Sequence, residues 1–344
     1  MQVKIIDPSC LPDWNHFIQS HFDPDIFHTS EWCRILKFTY NLSPTYFLAY
    51  NKEQPVIIIP LIEIKSPFTG KRAVCLPFSD FCHPLVKEPS HINELIKEIA
   101  DYGVSQKWKY IEFRSSCFSI LGRPVDVYYT HDIDLETSSD RLWSRLKENN
   151  KRNIKKATKY GLQVRFEKGL QSLRDFYKLQ VTTRKRHGLP PQPYKYFKLI
   201  HDEIISKDLG IIAAVYYRNN MIAASIYFHF NKKALFKFGA SNHIYHRLRP
   251  NNLIMWEAIR WHKENGCYTL NLGRTDMLDV GLISYKRTWG AKETQLYYYR
   301  LIFKKNLFSG IRAPGKNRIL TKAGRIIPAP ILNLIGNLIY RHLA

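Results

Sequence analysis

Cysteine is sparse in this sequence, and its few cysteines form no pattern that binds zinc. None of the six stands at CxxC spacing. Cys82 has a histidine neighbour, His83, but no second pair stands at a spacing that would complete a zinc site. An intracellular protein of this length also needs no disulfide framework. We therefore expect no metal site, and reduced, mostly buried thiols at Cys10, Cys33, Cys75, Cys82, Cys117 and Cys267.

Long apolar runs and the short motifs of several enzyme classes are missing as well. No apolar run approaches the ~20 residues that cross a bilayer, and no basic-then-apolar leader with a cleavage site is present. The absence of GxSxG and of GxxxxGK[ST] argues against serine hydrolases of that type and against P-loop nucleotide hydrolases. We expect a cytoplasmic protein, with peripheral contact to the inner face of the cell membrane as a further possibility.

Positive charge is abundant and unevenly distributed. The 344 residues carry a formal net charge of +23. Residues 1–140 hold 13 Lys/Arg against 18 Asp/Glu, whereas the rest hold 39 against 11, a net +28. Such a field attracts phosphates, anionic lipid or nucleic acid, but it does not choose among them.

The order of predicted elements indicates an α+β protein of about two domains, with ample apolar residues for two cores. In the first part we predict helices and strands from hydrophobic periodicity and turn residues. The helices are residues 11–21, 31–38 and 92–106, and the strands are residues 45–50, 55–64, 73–76, 110–113 and 125–135. Residues 136–140 have the composition of a linker.

The second part has a similar plan around an antiparallel meander. We predict a helix over residues 140–160, capped by Ser138 or Ser139 and stopped by Gly161. Another is predicted over 253–265, capped by Asn251 or Asn252. The remaining helices are residues 173–186, 196–205 and 282–289, and the strands are residues 210–217, 221–230, 234–239, 268–272 and 295–303.

Three segments combine cations with positions suited to anion binding. The helix over 140–160 places Arg152 on a polar, cationic face, and a solvated charged face is the bland alternative. Arg184 and Arg186 precede a Pro-rich loop, where dipole-favoured cations at a helix end are an equal alternative. Arg247, Arg249, Asn251 and Asn252 stand where a helix N-terminus could bind phosphate, with simple capping as the alternative.

The segment LNLGRTDMLDVGLISYKRTWG, residues 270–290, holds the strongest candidates for chemistry. A strand is followed by a polar loop and a helix, and such loops commonly carry sites. Acyl transfer to an amine needs a cation for the developing oxyanion and an acceptor for the lost proton. Lys286 suits the first role, and Asp276 or Asp279 the second. Alternatively, Arg274 pairs with one of these aspartates and Lys286 is an exposed helix residue.

Four sequence blocks resemble successive blocks of FemAB-related transferases. They are KRNIKKATKYGLQV, TTRKRHGLPP, RPNNLIMWEAIRWHKENGCYTLNLGRT and GLISYKRTWGAKETQLYYY. HTSEW, IIIPL and LPFSD add weaker agreement in the first part. The resemblance implies tandem GNAT-like (acyl-CoA N-acyltransferase) domains, with mixed and largely antiparallel sheets flanked by helices. We place these domains at residues 1–139 and 140–303, followed by a basic amphipathic tail at residues 304–344.

By position, the resemblance implies that Lys286, which follows Tyr285, lies near the transferred carbonyl or a donor phosphate. It also implies that Arg152 and Lys155 lie where anionic substrate groups approach. The full set of predicted substrate-binding residues is Arg152, Lys155, Arg186, Arg249, Asn251, Asn252, Trp256, Arg274, Tyr285 and Trp289.

The resemblance leaves the donor open. Peptidoglycan-bridge members use an aminoacyl-tRNA and an amine of a cell-wall precursor, whereas related members occur with exopolysaccharide export, and the GRT…GL..YK..WG form resembles these more. The coiled-coil insertion of some tRNA-using members is not apparent, and the GNAT pyrophosphate loop [QR]xxGx[GA] is missing. We expect no tightly bound cofactor and a co-substrate that is either aminoacyl-tRNA or acyl-CoA.

The predicted function is therefore transfer of an acyl or aminoacyl group to an amine of a cell-envelope glycan or peptidoglycan precursor, with a lipid-linked precursor as one option. The alternatives are an acyl-CoA-dependent GNAT N-acetyltransferase and a non-catalytic module that binds RNA or membrane. From Arg300 onward the chain has nine Lys/Arg and no acid. Its apolar end either lies in the interface of an anionic membrane or packs on the protein itself.

Overall fold

A computed structural model describes residues 1–303 and 325–343 of the chain. These residues divide into two compact units. The first unit contains residues 1–128, 295–303 and 338–343, and the second contains residues 129–294 and 325–337. The domain boundaries predicted after residues 139 and 303 stay predictions about which segments fold independently.

Up to residue 134 the chain contains three helices and nine strands within the described residues. The helices are α1 (Trp14–His21), α2 (Ser30–Tyr40) and α3 (Ile92–Ser105). The strands are β1 (Gln2–Ile6), β2 (Ser43–Pro44), β3 (Tyr46–Asn51), β4 (Gln54–Ile59), β5 (Ile62–Ser66), β6 (Gly70–Val74), β7 (Leu85–Val86), β8 (Tyr110–Phe113) and β9 (Asp126–Asp134). The predicted elements of this part are therefore mostly confirmed, whereas β1, β2 and β7 were missed.

The remaining elements begin with two short helices, α4 (Ser139–Arg145) and α5 (Glu148–Lys159). The strands are β10 (Val164–Glu167), β11 (Gly210–Tyr217), β12 (Asn220–Phe230), β13 (Lys233–Ser241), β14 (Thr269–Asn271), β15 (Thr275–Asp276) and β16 (Lys292–Ile302). The other helices are α6 (Leu170–Arg186), α7 (Tyr194–Glu203), α8 (Pro250–Glu264), α9 (Val280–Arg287) and α10 (Ala329–Leu343).

The first unit contains two sheets. One has the order β1-β3-β4-β7 and is antiparallel throughout. The other runs β16-β8-β6-β5-β2, with β6 and β8 parallel. The predicted continuous strand 55–64 is wrong, because it forms β4 and β5, which belong to different sheets. Pro60 lies at the break, where its missing N–H cannot support a ladder.

The sheet of the second unit has the order β10-β11-β12-β13-β14-β9. Strands β11, β12 and β13 form the predicted antiparallel meander. Ile211, Ala213 and Val215 of β11 belong to the core that α8 also helps to form. Because strand residues alternate between faces, Ile212 and Ala214 lie on the other face, on which α6 packs. A mixed sheet thus lies between two helical layers.

The helix predicted over residues 140–160 is two helices. Leu146 and Lys147 between them have extended backbone, with ψ of 138° and 144°. Lys147 N donates to Thr288 O at 3.0 Å, so a distant contact fixes the break. The predicted ends are confirmed, because Ser138 Oγ accepts from Arg141 N and Gly161 has a φ of +73°.

Candidate active site

Strand β13 pairs with β14 over only its first three residues. Their parallel pairing links Lys233, Ala234 and Leu235 to residues 269–271. β13 then continues to Ser241 in pairing with β12, with a β-bulge at Lys237. A bulge bends its strand, and bulges are common beside active sites. We call the region between residues 236–241 and residues 272–274 the strand opening.

Lys286 reaches the end of β14 from α9. Its side chain is only 5% exposed, and Nζ donates to Gly273 O at 2.7 Å. Gly273 has a φ of +75°, which a glycine adopts without steric cost. The alternative that Lys286 is an exposed helix lysine is therefore wrong. The site contains a buried ammonium at the strand opening.

Asn271, the last residue of β14, joins several polar groups beside Lys286. Its Nδ2 donates to Thr130 Oγ1 at 2.7 Å and to Asp132 Oδ1 at 2.8 Å. Its Oδ1 accepts from Gly273 N at 2.7 Å. Burial raises the pKa of the Asp132 carboxyl above its usual value, although Asn271, Lys292 and Lys286 oppose the shift. Asp132 is a carboxylate that the sequence reasoning missed.

A second polar cluster lies beside the same helix. His131 is fully buried, and its Nε2 is 3.0 Å from Glu293 Oε2. Arg287 donates to both carboxylate oxygens of Glu293, at 2.9 and 2.6 Å. Burial and the positive charge of Lys286 lower the pKa of His131. We expect a neutral imidazole here at neutral pH.

The two aspartates predicted as proton acceptors both accept hydrogen bonds from backbone N–H groups nearby in sequence. Asp276 Oδ1 accepts from Leu278 N at 2.8 Å. Asp279 is the N-cap of α9, and its Oδ1 accepts from Leu282 N at 3.1 Å. Both therefore organise the loop that leads to Lys286. Arg274, in the same loop, is partly buried.

The aromatic residues that were predicted to contact the substrate lie largely in the core. Trp289 is 1% exposed, and its ring centroid is 5.9 Å from that of Tyr285. Burial raises the pKa of Tyr285 to about 12, so its hydroxyl is neutral at physiological pH. Trp256 is buried and packs at 4.9 Å against Trp143. These rings support the site by packing, and their predicted substrate contacts stay predictions.

A small cavity of about 110 Å³ lies at the N-terminus of α8. Arg249 takes the N-cap position with a φ of 62°, so the predicted caps Asn251 and Asn252 are wrong. Asn251 Nδ2 instead donates to Ser241 Oγ at 3.2 Å, and Asn252 Nδ2 to Asn150 Oδ1 at 3.1 Å. The residues that line the cavity are His246, Arg249, Pro250, Asn251 and Asn252.

The charges around this cavity favour an anion. Burial lowers the pKa of His246, and the nearby cations Arg186, His243 and Arg249 lower it further. The positive charges of Arg186 and Arg249 therefore act on one imidazole, although the two arginines are far apart in sequence. Arg152 and Lys155 instead project from the exposed face of α5, whose buried side is formed by Asn150, Ile154 and Ala157.

Comparison with known proteins identifies the type of domain. Residues 144–287 match the family model described as an acetyltransferase (GNAT) domain. This match contains the last two residues of α4, all elements from α5 to β15, and α9 with Lys286. No curated protein sequence matches the chain.

Solved structures resemble most of the chain in fold. FemX aligns with a TM-score of 0.70 at 14% identity, covering 88% of this chain and 98% of that one. L-PGS from Bacillus licheniformis aligns with a TM-score of 0.57 at 12% identity, covering 86% and 93%. A tandem GNAT protein from the clavulanic acid biosynthesis pathway gives 0.56 at 8%, covering 88% and 98%. The predicted tandem GNAT fold is thereby confirmed, and the predicted FemAB-type resemblance is confirmed as a resemblance in fold.

Proposed function

We propose that this protein transfers an acyl or aminoacyl group to an amine of a cell-envelope glycan or peptidoglycan precursor. The match of residues 144–287 to an acetyltransferase (GNAT) domain supports acyl transfer. The observation that carries the proposal is the buried ammonium of Lys286, bonded to Gly273 O at the strand opening. The likeness in fold to FemX and to L-PGS favours an acceptor in the cell envelope.

Lys286 would act on the charge that develops during the reaction. When an amine attacks an acyl carbonyl, negative charge builds on the carbonyl oxygen. A cation held in place beforehand stabilises that charge without reorganising during the step. Gly273 O and the surrounding packing hold Lys286 in this way. Removing one such donor typically lowers kcat by about 10²–10³-fold.

The cavity at α8 is the proposed site for a phosphate of the donor. Helix N-termini favour anions through their unbonded N–H groups and the helix dipole. Arg249 lines the cavity, and the charge of Arg186 lowers the pKa of its histidine, His246. Both candidate donors, aminoacyl-tRNA and acyl-CoA, carry phosphates, so this cavity fits either. The exposed cations Arg152 and Lys155 would add long-range attraction.

Helix α10 supports a proposed peripheral contact with an anionic membrane. One face packs on the protein, because Leu332 is buried and a Cβ on Gly336 would lie 2.1 Å from Pro191 O. The α10 apolar stripe, formed by Ile331, Leu334 and Leu338, is 50–62% exposed. Residues 300–344 contain nine cations and no acid. An exposed apolar stripe in a cation-rich part of the sequence suits the interface of an anionic bilayer. Among the described residues, no helix is long and apolar enough to cross one.

The reaction itself can be tested with both donors in parallel. Purified protein is incubated with a cell-envelope precursor extract and either labelled aminoacyl-tRNA or labelled acetyl-CoA, and the products are read by mass spectrometry. Label from aminoacyl-tRNA alone would establish aminoacyl transfer, and label from acetyl-CoA alone would establish a CoA-dependent N-acetyltransferase. Transfer from neither donor contradicts the proposal and favours a non-catalytic binding module.

A further inference from the structure

Strand β9 brings a carboxylate to the end of β14 that the roles above leave unassigned. Asp132 lies directly opposite Asn271 in the antiparallel pairing of the two strands. Residues opposite each other in such a pair share one face of the sheet. Asn271 Nδ2 accordingly donates to Asp132 Oδ1 at 2.8 Å. The carboxylate position is thus set by two strands and one side-chain hydrogen bond.

The same asparagine connects Asp132 to Lys286. Asn271 Oδ1 accepts from Gly273 N at 2.7 Å, and Gly273 O accepts from Lys286 Nζ at 2.7 Å. Asn271 is 7% exposed, so its orientation is held by packing as well as by these bonds. The fixed ammonium and the carboxylate are therefore parts of one bonded chain, with a single asparagine and a single glycine between them.

Asp132 is also less buried than the other two side chains of this chain of contacts. Asp132 is only partly buried, whereas Asn271 and Lys286 are both buried. Asp276 and Asp279, by comparison, use a carboxylate oxygen to hold their own loop. A base must lie within hydrogen-bond reach of the proton it removes. Asp132 combines a fixed position with partial exposure.

We infer that Asp132 is a further catalytic residue, the base that accepts the proton of the acceptor amine; this inference rests on the proposed function. The amine nitrogen attacks the acyl carbonyl, and a C–N bond forms. The C–O bond of an aminoacyl ester, or the C–S bond of a thioester, breaks, and the leaving group departs with the electron pair. One amine proton passes to the Asp132 carboxylate and then to the leaving group, which restores the carboxylate.

The pH dependence of the rate follows from this assignment. Burial raises the pKa of Asp132, while the charges that act on it, Lys292 and Lys286, hold the rise in check. A base works only when it is deprotonated, so the rate must fall as pH drops through this raised pKa. The wild-type profile therefore has an acidic limb that belongs to Asp132.

Asp132→Asn separates catalysis from structure. Asparagine keeps an oxygen that accepts from Asn271, but it cannot take up a proton at this step. We expect the single-turnover rate to fall about 10²–10⁴-fold, with the acidic limb lost and the melting temperature close to that of the wild type. Asp134→Asn is the matched control on the same strand, because Asp134 is exposed and pairs with Arg145.

The assay uses whichever labelled donor, aminoacyl-tRNA or acetyl-CoA, the wild type transfers. A rate for Asp132→Asn within threefold of Asp134→Asn, with the acidic limb intact, overturns the inference and leaves the proposed function standing. If Asp132→Asn does not fold, Asp132→Glu replaces it, and the inference then requires a shifted acidic limb with partial activity; an unchanged limb overturns it. Failure of the wild type with both donors is distinguishable, because it removes the proposed function itself.

Discussion

Lys286 and His262 are both buried in the second unit, and they meet the cost of burial differently. The ammonium of Lys286 donates to Gly273 O. His262, on α8, avoids charge altogether: its Nδ1–H donates to Ala258 O at 2.8 Å, and burial lowers its pKa to about 3. A charged group without partners is expensive to bury. Lys286 is buried with a hydrogen-bond partner for its ammonium, whereas His262 is buried in its neutral form.

His262 makes the stability of the protein sensitive to acid. In the unfolded chain the pKa of His262 is about 6.5. At a pH between this value and about 3, the unfolded state therefore binds a proton that the folded state does not bind. The stabilisation is complete above about pH 6.5 and is lost as pH falls toward 3. Between pH 7.5 and 5 we expect this residue alone to reduce the free energy of unfolding by about 2 kcal/mol.

Urea denaturation of the wild type and of His262→Gln at pH 7.5 and pH 5 checks this expectation. The variant should lose about 2 kcal/mol less than the wild type over the same interval, because glutamine does not titrate. Equal losses in the two proteins would show that His262 is not the source of the acid sensitivity.

Some residues of the site can be predicted from the sequence, and others cannot. Lys286 was found because it stands in a motif that resembles a known family. Asp132 stands in an ordinary strand, and nothing in that strand marks it as different from Asp134 two positions later. Its role depends on lying opposite Asn271, which is 139 residues away in the chain. Contacts of that range are fixed by the fold and cannot be obtained from local periodicity.

At the scale of elements, the break between α4 and α5 depends on Asn150. This side chain is 2% exposed, and its Nδ2 donates to Thr288 O and Oγ1 at 3.1 and 2.9 Å. Its Oδ1 accepts from Asn252. Local propensity favoured one continuous helix here, and these distant contacts override it. The same residues connect α5, α8 and the end of α9.

Asn150→Ala should therefore destabilise the protein. It leaves Thr288 O with fewer donors and Asn252 Nδ2 without this acceptor, so we expect a loss of about 1–3 kcal/mol in the free energy of unfolding. Asn149→Ala is the matched control, since Asn149 is the exposed neighbour and should change stability by less than about 0.5 kcal/mol. Chemical denaturation at neutral pH measures both, and equal stabilities would contradict the proposed role of Asn150.

Helix α10 makes a separate prediction about membrane contact. Replacing Ile331, Leu334 and Leu338 by serine should reduce binding to phosphatidylglycerol-containing vesicles at least tenfold, because the exposed apolar area is removed. Ile5, Val104 and Ile120 are exposed apolar residues of the first unit, and their replacement by serine is the matched control. Vesicle co-sedimentation at low and high salt distinguishes the two. Equal binding of the two triple variants would remove α10 as a docking element.

At the scale of the molecule, the α+β plan and the GNAT fold followed from element order together with resemblance. The meander β11–β13 and the helix that follows it were predicted closely, because strong periodicity and turn residues mark them. The strand opening was not predicted, since it depends on where pairing between β13 and β14 stops. Part of the predicted tail is described: residues 329–343 form α10, whereas residues 304–324 and 344 lie outside the described residues.

The proposed chemistry requires the positive charge of Lys286, which is only one of the 52 Lys/Arg in the chain. Lys286→Met keeps most of the volume and removes the charge. Lys207→Met is the matched control, because Lys207 pairs with Glu203 at the surface.

The most direct test is the single-turnover rate of label transfer by Lys286→Met, Lys207→Met and the wild type, with melting temperatures measured alongside. We expect a fall of about 10²–10³-fold for Lys286→Met alone, in a protein that still folds. Transfer by a folded Lys286→Met at the rate of Lys207→Met would contradict the assignment of Lys286 as the stabilising cation.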